Sequence, residues 1–163
     1  MNRSYLKPLS FVPALLIMYM IFSLSSQTAD TSSQLSLGIS TEIVITVDHI
    51  LSTDLDQPEI ETWAQRIHNY VRKTAHFTEY FLLGLALAFP LYIYRLKGKL
   101  LFFVSSLSCM FFACSDEFHQ AFISGRSQEL RDVCIDSLGS ITGIFLFLFI
   151  ARIISRRIGW TGN

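Results

Sequence analysis

The chain has 163 residues, 13 basic and 13 acidic side chains, 51% hydrophobic residues and only 16% charged ones. Soluble domains carry about 25% charged residues, so this balance, with a mean hydropathy of +0.42, reads as a small all-α integral membrane protein forming one domain over 1–163. Zero net charge removes the whole-chain electrostatic signature of a nucleic-acid partner. The three cysteines, Cys109, Cys114 and Cys134, have no CxxC spacing and form neither a disulfide framework nor a zinc motif; they read as small buried hydrophobes in helices.

Taken in order, Arg3 and Lys7 precede an apolar run from Leu9 to Leu24. The run is close to the lower limit of roughly 17 residues for a span. A secretory signal would also begin this way, but no A-x-A cleavage site follows, and a retained first span over about 8–26 is expected. Residues 27–73 read as an outer loop. Gln27 to Ser40 is rich in Ser and Thr, which points to irregular structure. Beyond Pro58, the residues Ile60, Trp63, Ala64, Ile67, Tyr70 and Val71 form one apolar stripe at helical spacing. With Trp63 and Tyr70 on its seam, this amphipathic helix can lie in the membrane interface or pack over the ends of the spans.

A second span follows over about 74–94, a basic turn from Arg95 to Lys99, a third span over about 100–119, a polar turn, a fourth span over about 133–154, and a basic tail. Arg3, Lys7, Arg95, Lys97, Lys99, Arg152, Arg156 and Arg157 fall on one side of such a bundle; Arg66, Arg72, Lys73, Arg126 and Arg131 fall on the other, with nearly all the acids. An excess of Lys and Arg marks the cytoplasmic side. The expectation is therefore four transmembrane helices plus one interfacial helix, with both termini cytoplasmic.

Two polar clusters interrupt the apolar runs: RKTAHFTEY (Arg72–Tyr80) and SDEFHQAFISGRSQELRDVCID (Ser115–Asp136). An ionisable residue at bilayer depth costs roughly 2.5–3.5 kcal/mol, so its presence is by default a functional signal. His76 and Glu79 are i, i+3 on the second span; Asp116, His119 and Gln120 are i, i+3, i+4 on the third; Glu117 lies about 100° around from Asp116. Asp132, Asp136, Gly139, Ser140 and Gly143 share one stripe of the fourth. The GxxxG of Gly139 and Gly143 permits close helix approach and should turn Asp136 inward; Tyr80, Gly84 and Ala88 make a similar seam.

Three chemistries suit these residues. Carboxylate and imidazole at i, i+3 can hold a divalent metal in a four-helix site, or form a hydrogen-bonded polar network without one. His119 beside Asp116 can move protons in general acid–base work. Lys73, Arg126 and Arg131 stand at phosphate height, where a guanidinium can grip a phosphate or carboxylate. The candidate catalytic residues are His76, Glu79, Asp116, Glu117, His119 and Gln120; the candidate substrate-binding residues are Lys73, Tyr80, Arg126, Asp132 and Asp136. For Asp136 a basic or protonated partner is expected, from Arg126, Lys73 or a site histidine.

RKTAHFTEYFLLG, SDEFHQAFISGRSQELRDV and IDSLGSITGI resemble the VanZ-like family of bacterial membrane proteins, as does SLSSQ (Ser23–Gln27) at the end of the first span. The resemblance covers roughly residues 20–145. One departure is Ser124, where many members have Pro. The resemblance implies a multi-pass protein of the bacterial cytoplasmic (inner) membrane acting near the cell envelope, with a prototype linked to teicoplanin resistance; it supplies no reaction. The leading expectation is an extracytoplasmic polar pocket that binds or acts on an envelope lipid or a lipid-linked cell-wall precursor. The alternatives are a metal-dependent or acid–base membrane hydrolase or transferase, and a small transporter or proton-coupled relay.

Overall fold

The computed structural model describes residues 7–157; Arg3, counted above among the basic residues, lies outside them. A 3-10 turn, Pro8–Phe11, leads into α1 (Val12–Ser25), followed by α2 (Ala29–Leu51), α3 (Gln57–Ile93), α4 (Gly98–Gln120) and α5 (Leu130–Arg157). There is no strand among the described residues. Pro8–Ser25, α3, α4 and most of α5 are long and apolar enough to cross a membrane, which makes this an all-α multi-pass membrane protein.

The stretch Gln27–Ser40 differs from the loop reading: from Ala29 it belongs to α2. Its Ser and Thr side chains do not break the helix because they fold back onto it: Ser36 donates to the Ser32 carbonyl, Ser40 to Ser36, Thr41 to Leu37 and Thr46 to Glu42. Thr28 caps α2 by accepting from the Thr31 N–H. The amphipathic helix after Pro58 is present, but it runs without a break into the second span. Asp56 and Glu59 start it with a reciprocal capping box, and Pro58 occupies its first turn. At 1.5 Å per residue the 37 residues of α3 reach about 55 Å, against a hydrocarbon core of about 30 Å. Its N-terminal half therefore stands beyond the bilayer. There α2 packs against it through Val44, Ile60 and Ala64, with Leu37, Leu55 and Ile67 around them.

Asp48 locks the hairpin between these two helices. Its carboxylate accepts from the Thr53 hydroxyl at 2.6 Å and the Leu55 N–H at 3.1 Å. The Thr53 bond first, then the Leu55 bond, hold this carboxyl below the usual aspartate range.

Inside the bundle the closest pair is α3 with α5, and glycines decide it. A Cβ at Gly139 would fall onto the Phe77 carbonyl, one at Gly143 onto the Phe81 carbonyl, and one at Gly84 onto the Ser140 carbonyl. The matched numbers rise together, so the two helices run parallel, as two spans separated by α4 must. Ala14, Ile21, Tyr80, Leu83, Cys109 and Ala113 form a core where α1, α3 and α4 meet. Ala88, Leu101 and Ile144 form another toward the basic end. Of the cysteines only Cys109 is buried; Cys114 and Cys134 face outward, against the expectation for all three.

α3 ends in a Schellman motif: Leu96 N–H bonds to the Leu91 carbonyl and Arg95 N–H to Tyr92. The left-handed position, usually glycine, is occupied by Arg95 at φ 73°.

Candidate functional site

The site lies where the C-termini of α1 and α4, the loop 121–129 and the start of α5 meet the middle of α3. It is organised around Asp116 and Arg126. Asp116, 2% exposed, accepts at one oxygen from the Ser25 hydroxyl (2.7 Å) and the Gln120 amide (3.0 Å). Gln120 in turn presents its carbonyl to Arg126 Nη1 at 2.8 Å. Asp116 can only accept as a carboxylate and Arg126 can only donate, so the Gln120 amide has one possible orientation between them. Arg126 also donates from Nε to the Gln27 carbonyl at 3.0 Å and from Nη2 to Leu24 at 3.4 Å. The guanidinium thus ties the end of α1 to the end of α4. Gly125, at φ 76°, makes the turn that delivers it, with Ala29 packed close by.

His119 departs from the expected role. It makes no hydrogen bond with Asp116. Its ring stacks on Phe22 with centroids 4.4 Å apart, and Nε2 lies 3.2 Å from Ser26 Oγ. Ser26 has one hydroxyl proton, directed to the Phe22 carbonyl at 2.7 Å. With the proton so directed, the Nε2-protonated tautomer completes the Ser26–His119 bond.

His76 and Glu79 sit on the other side of Arg126. They line a small cavity, about 70 Å³, with Arg72, Arg126, Gln27, Ser32 and Ser36. His76 Nδ1 and Glu79 Oε2 are 3.9 Å apart, too far for a hydrogen bond, and Nδ1 is buried without a partner. Arg72 and Arg126 share the cavity wall, and neither has a carboxylate within ion-pair distance among the described residues. Burial first, then the nearby Arg72 charge, push the Arg126 guanidinium below its ordinary pKa.

Glu117 turns away toward α5, where it accepts from the Glu129 N–H at 3.1 Å. Lys73 pairs with Asp132 at 2.8 Å and stands 3.9 Å from Glu129. Tyr80 and Asp136 are buried deeper, 0% and 2% exposed. Asp136 does face the bundle, but the cation expected for it is absent: it makes no ion pair among the described residues, and its Oδ1, the Tyr80 hydroxyl and the second oxygen of Asp116 are all unpartnered. Asp132, one helical turn nearer the membrane surface, takes Lys73; three acceptors near α1 take Arg126. Arg131 is exposed at the start of α5.

The eleven candidates therefore form a band of separate groups and not one chamber. Asp116, Gln120 and Arg126 are its middle, His76 and Glu79 line the cavity, and Glu117, Lys73 and Asp132 flank α5. No three His, Cys, Asp or Glu side chains among the described residues are placed to hold a metal ion together, so the paired i, i+3 spacings do not combine into a ligand set. The band also contains Ser25, Ser26, the Gln27 carbonyl and Arg72, which periodicity did not single out.

The VanZ/LLP1 family model matches residues 10–152. The chain belongs to the VanZ/LLP1 family. The match reaches every helix of the bundle, and the band described above lies wholly inside the VanZ-like region. Neither a curated protein nor a solved structure matches this VanZ-like chain. The one part of the band with a signal in the sequence besides the two charged clusters is the SLSSQ segment (Ser23–Gln27) of the resemblance: it supplies Ser25 and Ser26 and the Gln27 carbonyl.

Proposed function

We propose that this VanZ-like protein binds the anionic head group of an envelope lipid or lipid-linked cell-wall precursor at the extracytoplasmic face of a bacterial inner membrane. The observation that carries the reading is the pair Arg72 and Arg126 in one cavity wall without a carboxylate partner. Arg126 is preorganised by three neutral acceptors, which aim a fixed charge and leave it unneutralised. Two like charges held together in a half-buried site attract an anion, and a guanidinium suits a phosphate or carboxylate. The cavity admits a head group and not a whole lipid. Beside it runs an apolar groove of about 590 Å³ along α2. Leu35 and Ile39 line both, and Ile43 and Val47 continue the track for a hydrocarbon chain. The eight-to-five basic asymmetry supports a cytoplasmic position for both termini. Protection of such a lipid is the route by which this protein would contribute to teicoplanin-type resistance.

The test uses vesicles containing a polyprenyl phosphate or the corresponding uncharged polyprenol. Wild-type protein is expected to bind the phosphate and not the alcohol. Arg126→Ala should weaken phosphate binding about 10- to 100-fold, the scale of a charge-assisted hydrogen bond of roughly 1.5–3 kcal/mol. Asp116→Asn should weaken it less, because Asp116 acts through Gln120. Equal binding by Arg126→Ala at equal membrane abundance would overturn the reading. An acid–base hydrolase or transferase would draw on the free oxygen of Asp116; in that case Asp116→Asn abolishes turnover while lipid binding persists.

A further inference from the structure

The opposite end of the bundle carries a second site. All 13 acids lie between Asp30 and Asp136, none of them in residues 80–115 or beyond 136. Where α3 ends, α4 begins and α5 reaches its last turns, a cavity of about 770 Å³ opens, with Lys7, Arg95, Lys97 and Arg152 around it and no acid in its wall. Its floor is apolar: Phe89, Tyr92 and Leu148. Phe89, Tyr92, Ala151 and Ser155 continue into a second cavity of about 210 Å³ whose other walls are Phe147, Ile150 and Ile154. A basic mouth thus opens directly onto an apolar slot between α3 and α5, the two sharing Phe89, Tyr92, Ala151 and Ser155.

Two details separate this from a general scatter of positive charge. Arg95 occupies the left-handed position of the Schellman turn, where glycine is the usual residue. Lys7 approaches the mouth from the other terminus, with its ammonium 5.8 Å from the centre of the Tyr94 ring. Cations from three separate segments converge on one mouth.

We infer that this cavity binds one anionic phospholipid of the cytoplasmic leaflet, with its phosphate among Arg95, Lys97 and Arg152 and an acyl chain in the slot between α3 and α5. The slot is what selects a lipid over a free anion. Basic pockets between spans on the cytoplasmic side are suited to such head groups. This site is independent of the head-group cavity at the other end and shares no residue with it; it relies only on the basic end facing the cytoplasm.

The experiment titrates the delipidated full-length protein, in neutral detergent, with phosphatidylglycerol, phosphatidylcholine or inorganic phosphate. Thermal midpoint and bound-lipid count by native mass spectrometry are read together. Phosphatidylglycerol is expected to raise the midpoint with one lipid retained, and the other two probes to leave it unchanged. Arg95→Gln/Arg152→Gln should weaken the phosphatidylglycerol response at least tenfold. Lys99→Gln/Arg156→Gln removes equal charge from the same end but outside the cavity wall, and should respond as wild type. All four side chains are exposed, so equal starting midpoints are expected; if the cavity double variant starts lower, Lys97→Gln alone carries the test. Equal weakening by both doubles means diffuse attraction and overturns the site. Saturation by inorganic phosphate, or an equal response to phosphatidylcholine, overturns the lipid assignment.

Discussion

The two ends of this bundle handle charge in opposite ways. At the acid-bearing end Asp116, Glu117 and Gln120 are buried and hydrogen-bonded, and a chain of bonds runs from Ser25 through Asp116 and Gln120 to Arg126. At the basic end Arg95, Lys97 and Arg152 are exposed and line the mouth of a cavity without touching an acid. A buried charge must be hydrogen-bonded to be tolerated, whereas an exposed one need only be solvated. The acid-bearing end is therefore specified by directional bonds between named atoms. The basic end is specified by charge density and shape, which suits a mobile amphiphile.

The largest expected effect tests whether the two ends face different compartments. In a background lacking the native cysteines, Gln34→Cys and Lys97→Cys, both at exposed positions, should label from opposite sides of the membrane, with Gln34→Cys reacting from outside. Labelling from one side for both would remove the basis of the comparison.

A second test separates shared scaffold from either end. Gly84→Leu places a side chain where the Ser140 backbone already stands, so α3 and α5 must part. Overpacking of this kind costs typically 1–3 kcal/mol or more, and here it acts on the seam that both ends depend on. Folded yield and melting temperature should fall sharply, and head-group binding and phospholipid binding should fall together. Retention of one with loss of the other would show that the ends are built on separate supports.

The smallest effect concerns the α2–α3 hairpin, which belongs to the acid-bearing end alone. The folded pKa of Asp48 is depressed, so its contribution is present above the ordinary aspartate value of about 3.9 and is lost as pH falls through the folded value. Because this half-exposed side chain bonds only within the hairpin, the change should be local. Protection factors for amide exchange at residues 52–56, taken against the intrinsic rate at each pH, should fall at acid pH while the spans keep their protection. Asp48→Asn should remove that pH dependence, and an unchanged acid profile in this variant would refute the assignment.

Much of this protein was legible in the linear chain. Four apolar runs of bilayer length set the number of spans, because no irregular backbone survives in hydrocarbon. GxxxG on α5 and the small-residue seam on α3 announced a close pair, and the structure places Gly139 and Gly143 against Phe77 and Phe81. The i, i+4 spacing of Asp116 and Gln120 already put them on one face, where they do bond.

Other features were decided only by tertiary contacts. Composition made Gln27–Ser40 a loop, yet hydroxyls that bond back to the preceding turn, with packing of Val44 on Ile60 and Ala64, make it helix. Spacing paired Asp116 with His119, but α1 supplies closer partners for both: Ser25 for the acid and Ser26 with Phe22 for the imidazole. Asp136 was expected to meet a cation; which carboxylate Lys73 reaches depends on the register of α5 against α3, and that register puts Asp132 there instead. Periodicity reports which residues share a face of one helix. It carries no information on what a neighbouring helix presents to that face, and in this chain the partners of the buried polar groups come from α1 and the loop 121–129, about 90–100 residues apart in sequence and joined only by the fold.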